Sequence, residues 1–238
     1  TTSAGNTAPA AGPSEAFTVT NAGISVSIGA PSVSLTRTGP VTYEVTYNGA
    51  SSVTLNASHI ILNSPGTATG TVAVSGGGHK NRTVTISNIS GDGLLGISIL
   101  AGTATAPPSF SAPAAGPSAT FRVDNTPPSF VVTPPPDNLT CGTENIKWQV
   151  SFADAEPCVM NDSFIIIELT GTLTGTFSVV AMGDQTRNVF VKDVEGIGTA
   201  VLSIAAGAAE DEAGNLSAAW GPSEAVFTNG DPPPMTIT

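Results

Sequence analysis

One nine-residue stretch is written three times, and it constrains the fold more than any other feature. It reads Ala11-Gly12-Pro13-Ser14-Glu15-Ala16-Phe17-Thr18-Val19, returns as Ala115-Gly116-Pro117-Ser118-Ala119-Thr120-Phe121-Arg122-Val123, and returns more loosely as Trp220-Gly221-Pro222-Ser223-Glu224-Ala225-Val226-Phe227-Thr228. Phe17 and Phe121 stand 104 positions apart, and Phe121 and Phe227 stand 106 apart. A period of about one hundred residues is too long for a solenoid and matches a tandem array of whole domains. Each copy has a Gly-Pro turn, a short alternating strand and then a linker, which is how a last strand leaves a domain.

Between these copies the chain aligns with itself at an offset of 105. Residues 69–74 (TGTVAV) match 174–179 (TGTFSV), Ile60-Ile61 match Ile165-Ile166, and Gly91 matches Gly196. Seven strands are expected in the first unit, near 24–28, 41–47, 59–63, 69–75, 82–89, 95–101 and 118–124. In the second of them Val41, Tyr43, Val45 and Tyr47 face one way, and Thr42, Glu44 and Thr46 the other. Ile146, Trp148, Val150 and Phe152 repeat that face in the second unit. Period-two alternation with one polar side marks an antiparallel sheet covered on one face. Seven such strands in about a hundred residues make a two-sheet sandwich. The fold class expected is therefore all-β, two seven-stranded β-sandwiches end to end. The boundaries are 1–21 for the last strand of a preceding repeat, 22–125 and 126–230 for the two units, and 231–238 for the start of a following repeat.

Composition limits the function. Apolar residues make up 40% and charged residues 11%, which is neither a disordered nor a helical chain. The 18 acids against 7 bases leave a net charge of −11, so nucleic acid is excluded as a partner and a cation is the natural one. No apolar run reaches membrane-spanning length, so no membrane insertion is expected in this segment. Gly-Pro-Ser triplets are turns, Gly-x-Ser-x-Gly is missing, and the two histidines are explained locally. His59 aligns with Phe164 at a core edge, and His79 sits in a turn beside Lys80 and Arg82. No enzyme is expected. Cys141 and Cys158 leave a disulfide and two free thiols both open, although an intervening strand of about 25–30 Å argues against a bridge. Asn-x-Ser/Thr sequons at Asn56, Asn81, Asn88, Asn138, Asn161 and Asn215 permit glycosylation without indicating it.

The acids are unevenly placed. In a sandwich of alternating strands, the loops after strands two, four and six emerge at the end where the chain enters. In the second unit those loops carry Asp154, Glu156 and Asp162, then Asp184, then Glu210, Asp211, Glu212 and Asn215, and the incoming linker adds Asp124 and Asn125. Eight acids thus converge on one pole. The same three loops of the first unit carry none. The fold does not need the cluster, and several carboxylates beside amide and backbone oxygens suit a hard cation with six to eight oxygen ligands. The competing reading is a solvated acidic surface.

The junction Val123-Asp124-Asn125-Thr126-Pro127-Pro128 and the loop Ala209-Glu210-Asp211-Glu212-Ala213-Gly214-Asn215-Leu216-Ser217 resemble those of bacterial immunoglobulin-like (Big-type) tandem repeats, which build long surface adhesins and other exoproteins. The resemblance covers both units and implies immunoglobulin-like sandwiches. It also implies calcium bound between linker and loop, carried here by Asp124, Asp211 and Asn215. From the acid cluster itself, Asp154 or Glu156 is expected to assist. Substitution of Asp92 is expected to leave the calcium response unchanged.

The function expected is a structural or adhesive rod segment of a repetitive extracellular surface protein, cell-surface or secreted, stiffened by calcium at the domain junction. Its partners would be neighbouring immunoglobulin-like repeats or subunits, and a host or cell-surface protein or glycan. The alternative is a filament subunit assembled by strand addition through residues 1–21.

Overall fold

The computed structural model describes residue 12 and residues 23–135, 139–140 and 145–229. The segments 1–21 and 231–238, assigned above to neighbouring repeats, lie outside the described residues apart from Gly12, as does Cys141.

The first half holds β1 (Ser25–Pro31), β2 (Leu35–Thr36), β3 (Val41–Asn48), β4 (Ser52–Val53), β5 (Ile60–Asn63), β6 (Thr69–Ser75), β7 (Asn81–Ser90), β8 (Gly93–Ile99), β9 (Ala104–Ala106), β10 (Phe110–Ser111) and β11 (Phe121–Val123). The second holds β12 (Ser129–Thr133), β13 (Leu139–Thr140), β14 (Ile146–Ala153), β15 (Ile165–Leu169), β16 (Thr174–Ala181), β17 (Thr186–Glu195), β18 (Gly198–Ile204) and β19 (Val226–Asn229). No α-helix occurs among the described residues; short 3₁₀ turns, Ala57–His59 and Asp162–Phe164, precede β5 and β15.

Two four-stranded sheets form each sandwich. Their orders are β1-β3-β7-β6 and β2-β11-β8-β5 in the first, and β12-β14-β17-β16 and β13-β19-β18-β15 in the second. The two topologies are the same strand for strand. Pairing is antiparallel except β2 with β11 and β13 with β19, which run parallel. The first expected strand, near 24–28, is β1, and the chain after it crosses to the other sheet. Pro31 has no amide to donate, so β1 ends there and the chain crosses to pair as β2; Pro134 and Pro135 follow β12 in the same way.

Alternation places the core as the sequence predicts. Val41, Tyr43, Val45 and Tyr47 are buried against Leu95, Ile97, Ile99 and Phe121, while Ile146, Trp148, Val150 and Phe152 meet Ala200, Leu202 and Ile204. Each such side chain contributes about 1.5–3 kcal/mol when fully removed from water. The tyrosines carry hydroxyls into the core and find acceptors. Tyr43 donates to the Ala119 carbonyl at 2.8 Å and Tyr47 to Thr103 Oγ1 at 2.8 Å. Burial raises both phenol pKa values above their ordinary range. Trp148 stands in the place of Tyr43, and its Nε1 has no partner among the described residues.

The turn from β7 to β8 explains the Gly91–Gly196 match. Both have positive φ, and a Cβ would lie 2.3 Å from the Thr67 carbonyl oxygen or 2.2 Å from that of Thr172. Only glycine fits this approach.

Two arginines complete the shared framework. Arg82 and Arg187 are the one basic pair kept at the offset of 105. Both are buried, and their guanidinium groups donate to carbonyls of the loops around them: Arg82 to Val53, Gly78 and Asn81, and Arg187 to Cys158, Gly183 and Thr186. A buried cation is tolerated only with its donors so occupied.

Candidate functional site: the linker between the sandwiches

The linker 124–126 leaves β11 and enters the second sandwich at Pro127. On the upstream side, the Asp124 amide donates to the Thr36 carbonyl at 3.1 Å. Asn125 Nδ2 donates to the carbonyls of Arg37 and Gly91, and its amide donates to Asp92 Oδ1 at 2.8 Å. Thr126 Oγ1 donates to the same Asp92 oxygen, and the Thr126 amide donates to Asp124 Oδ1. Arg122 forms an ion pair with Asp124 Oδ2. The Asp124 side chain is therefore occupied at both oxygens.

On the downstream side stands the loop 209–217. Glu210 and Leu216 close it as a bridge, and Gly214, with φ +85°, turns the chain so that its amide donates to the Asp211 carbonyl. Asp211 then caps the turn: its Oδ1 accepts from the Asn215 amide at 2.8 Å and its Oδ2 from Asn215 Nδ2 at 2.8 Å. The same Nδ2 donates to the Asp124 carbonyl at 2.9 Å. Asp124, Asp211 and Asn215 are 6%, 4% and 5% exposed. The three residues that the family resemblance implied are thus side by side.

The remaining acids are arranged otherwise. Asp154 and Glu156 are exposed on the loop after β14, where the Glu156 amide donates to the Glu210 carbonyl at 2.6 Å. That bond holds the loop against 209–217 by backbone. Asp162 Oδ1 accepts from the Val179 amide at 2.6 Å, Glu210 is half-buried, and Asp184 and Glu212 are exposed. Among the described residues no three of His, Cys, Asp and Glu stand close enough together to hold a metal ion. Asp92, expected from the sequence only as a residue not needed for the calcium response, is a member of the joint.

The equivalent loop of the first sandwich does something different. It folds into the hairpin β9–β10, which joins β4 in a three-stranded sheet of its own, order β10-β9-β4. Ser109 occupies the place of Gly214, and no linker is clasped by this hairpin among the described residues.

Several sequons have structural roles. Asn56 and Asn161 are equivalent and each caps a 3₁₀ turn, accepting from the amides and hydroxyls of Ser58 and Ser163. Asn215 is buried in the joint. Asn88 and its equivalent Asp193 have positive φ, 50° and 52°, within the long strands β7 and β17. Asn138 and the strand-addition segment 1–21 lie outside the described residues. His59, as expected, is half-buried; its Nδ1 accepts from the Asn56 amide.

No helix among the described residues is long and apolar enough to cross a membrane. No family model matches the sequence, and no curated relative matches it. Among solved structures, FdeC, an adhesin of Escherichia coli, is similar with 10% sequence identity and a TM-score of 0.40, over 86% of this chain and 64% of that one. The chain thus spans less than two thirds of the adhesin's length, and a likeness of that degree bears on neither its activity nor its partners.

Proposed function

We propose that this chain is a rod segment of two immunoglobulin-like units in tandem, residues 22–125 and 126–230, from a repetitive extracellular surface protein. Its work is structural or adhesive: to hold a terminal surface away from the cell, or to present its own faces to a host protein or glycan. The observation that carries this reading is the linker 124–126, bonded to the first sandwich through Asp92, Thr36 and Arg37 and to the second through Asn215. A free tether would need no such bonds, and interdomain freedom is the default when few contacts cross a linker. Small-angle scattering tests it: a rod gives the extended, single-shape profile calculated from this arrangement, and a flexible pair gives an ensemble.

Calcium would enter this joint only with rearrangement, since among the described residues no three acids stand together and the Asp124 and Asp211 carboxylates already accept hydrogen bonds. Among the described residues the one ion pair is Arg122 with Asp124, and the buried Asp211 side chain has no ion-pair partner. Asp124, Asp211 and Asn215 offer hard oxygen donors on both sides of the linker. Backbone carbonyls or water would complete the shell, with Asp154 or Glu156 swinging in from the neighbouring loop. Titration calorimetry on the intact chain checks this; heats that never saturate at millimolar calcium reduce the cluster to an acidic surface.

A further inference from the structure

The two hydrogen bonds that cross the joint among the described residues have different origins. Asn215 reaches back only to the linker, at the Asp124 carbonyl. Arg37 belongs to the body of the first sandwich, just after β2, and its Nη1 donates to the Gly214 carbonyl at 2.8 Å. Its own backbone carbonyl meanwhile accepts from Asn125 Nδ2 at 2.9 Å. One residue therefore holds the linker with its main chain and the next sandwich with its side chain.

We infer that Arg37 is the positioning residue that sets the angle between the two sandwiches, an inference that rests on the rod reading. The linker alone cannot fix that angle. Its bonds to Thr36, Gly91 and Asp92 tie it to the first sandwich, and backbone rotation at 126–128 still leaves the second free to swing. The Asn215 bond ends on the linker itself, at the Asp124 carbonyl, and so does not tie the second sandwich to the body of the first. Arg37 acts from off the linker, so its contact fixes rotation as a second point of attachment. A guanidinium suits the task because it is always charged and its donors are rigidly arranged, and a charged donor makes the stronger class of hydrogen bond. The acceptor is held as firmly: positive φ at Gly214 and the Asp211 cap aim that carbonyl out of the loop.

The test is a pulsed dipolar distance measurement on the full chain, with spin labels at exposed Ala73 and Lys147 and both native cysteines replaced by serine. The parent should give one narrow distance. Arg37→Ala should broaden it, shifting the ratio of clasped to open forms by roughly tenfold, as loss of a charge-assisted hydrogen bond implies. Gly214→Ala should broaden it too by re-aiming the carbonyl. Arg37→Lys should restore most of the narrow population, and melting of each sandwich should stay unchanged because Arg37 is exposed. A narrow distance in the parent and an equally narrow one in Arg37→Ala overturns the role of Arg37 and leaves the rod intact. A broad distance in the parent overturns the rod itself.

Discussion

Asn215 Nδ2 lies 2.9 Å from the carbonyl oxygen of Asp124, 91 positions earlier in the chain. The same nitrogen also donates to Asp211, so one amide ties the loop to itself and to the linker. Replacing Asn215 with alanine removes both bonds and leaves the Asp211 carboxylate and the Asp124 carbonyl short of donors. The second sandwich should lose about 1–3 kcal/mol. Urea denaturation monitored by tryptophan fluorescence measures this, since both tryptophans lie in that sandwich. A loss within error would mean that Asn215 is a bystander.

Asp92 accepts from both Asn125 and Thr126. Asp92→Ala should loosen the linker at the Asn125 amide and the Thr126 hydroxyl, with its bonds to Thr36, Arg37 and Gly91 and the core left in place. Amide hydrogen exchange at Asn125, whose N–H donates to Asp92, should speed up, with strands β7 and β8 keeping their protection. Unaltered exchange at that amide would place its restraint elsewhere.

If calcium binds the joint, it stabilises the second sandwich by about 2.7 kcal/mol at a hundredfold excess over Kd. Asp211→Ala should abolish that increment. The first sandwich, whose equivalent loop is the β9–β10 hairpin, should not respond. A chelator that leaves both melting temperatures unmoved would argue against the ion.

Both tyrosines lie in the first sandwich, and burial raises their pKa values. The folded state holds those protons more tightly than the unfolded state. Their contribution to stability is complete below the ordinary tyrosine pKa and is lost as pH rises from about 10 through the raised folded values. Alkaline unfolding should therefore begin in the first sandwich, with tyrosinate absorbance rising as it opens. Simultaneous loss of both sandwiches would contradict this.

The eight-residue strand β14 lies between Cys141 and Cys158 in the sequence and spans about 25 Å, and the Cys158 carbonyl is bonded to Arg187 beyond its Ala153 end. Thiol labelling of the unfolded, unreduced protein should find two free thiols per chain. None would mean a bridge.

Much of this was legible in the sequence because the core is written in alternation. Val41 to Tyr47 and Ile146 to Phe152 carry the phase openly, and the offset of 105 transfers one unit's assignments to the other. The short strands β2 and β13 were missed, since each is two residues long and leaves no periodic signal. At the joint, Asp124, Asp211 and Asn215 were legible through their motif and through the loops of the first unit that lack acids. Arg37 and Asp92 were not. Each is a single polar residue in a turn; the partner of Arg37 lies across the joint and those of Asp92 lie in the linker, at separations that no spacing rule encodes. The buried pair Arg82 and Arg187 had one signal, the same basic residue at equivalent places, and only Arg82 was expected, as part of a turn.

The central claim is that the clasped linker makes the two sandwiches one rigid body. Backbone residual dipolar couplings, collected for both sandwiches of the intact chain in one alignment medium, test it most directly. The account predicts that a single alignment tensor fits both sets in the relative orientation fixed by the Arg37–Gly214 and Asn215–Asp124 bonds. Two tensors of different magnitude, each fitting only its own sandwich, would contradict it.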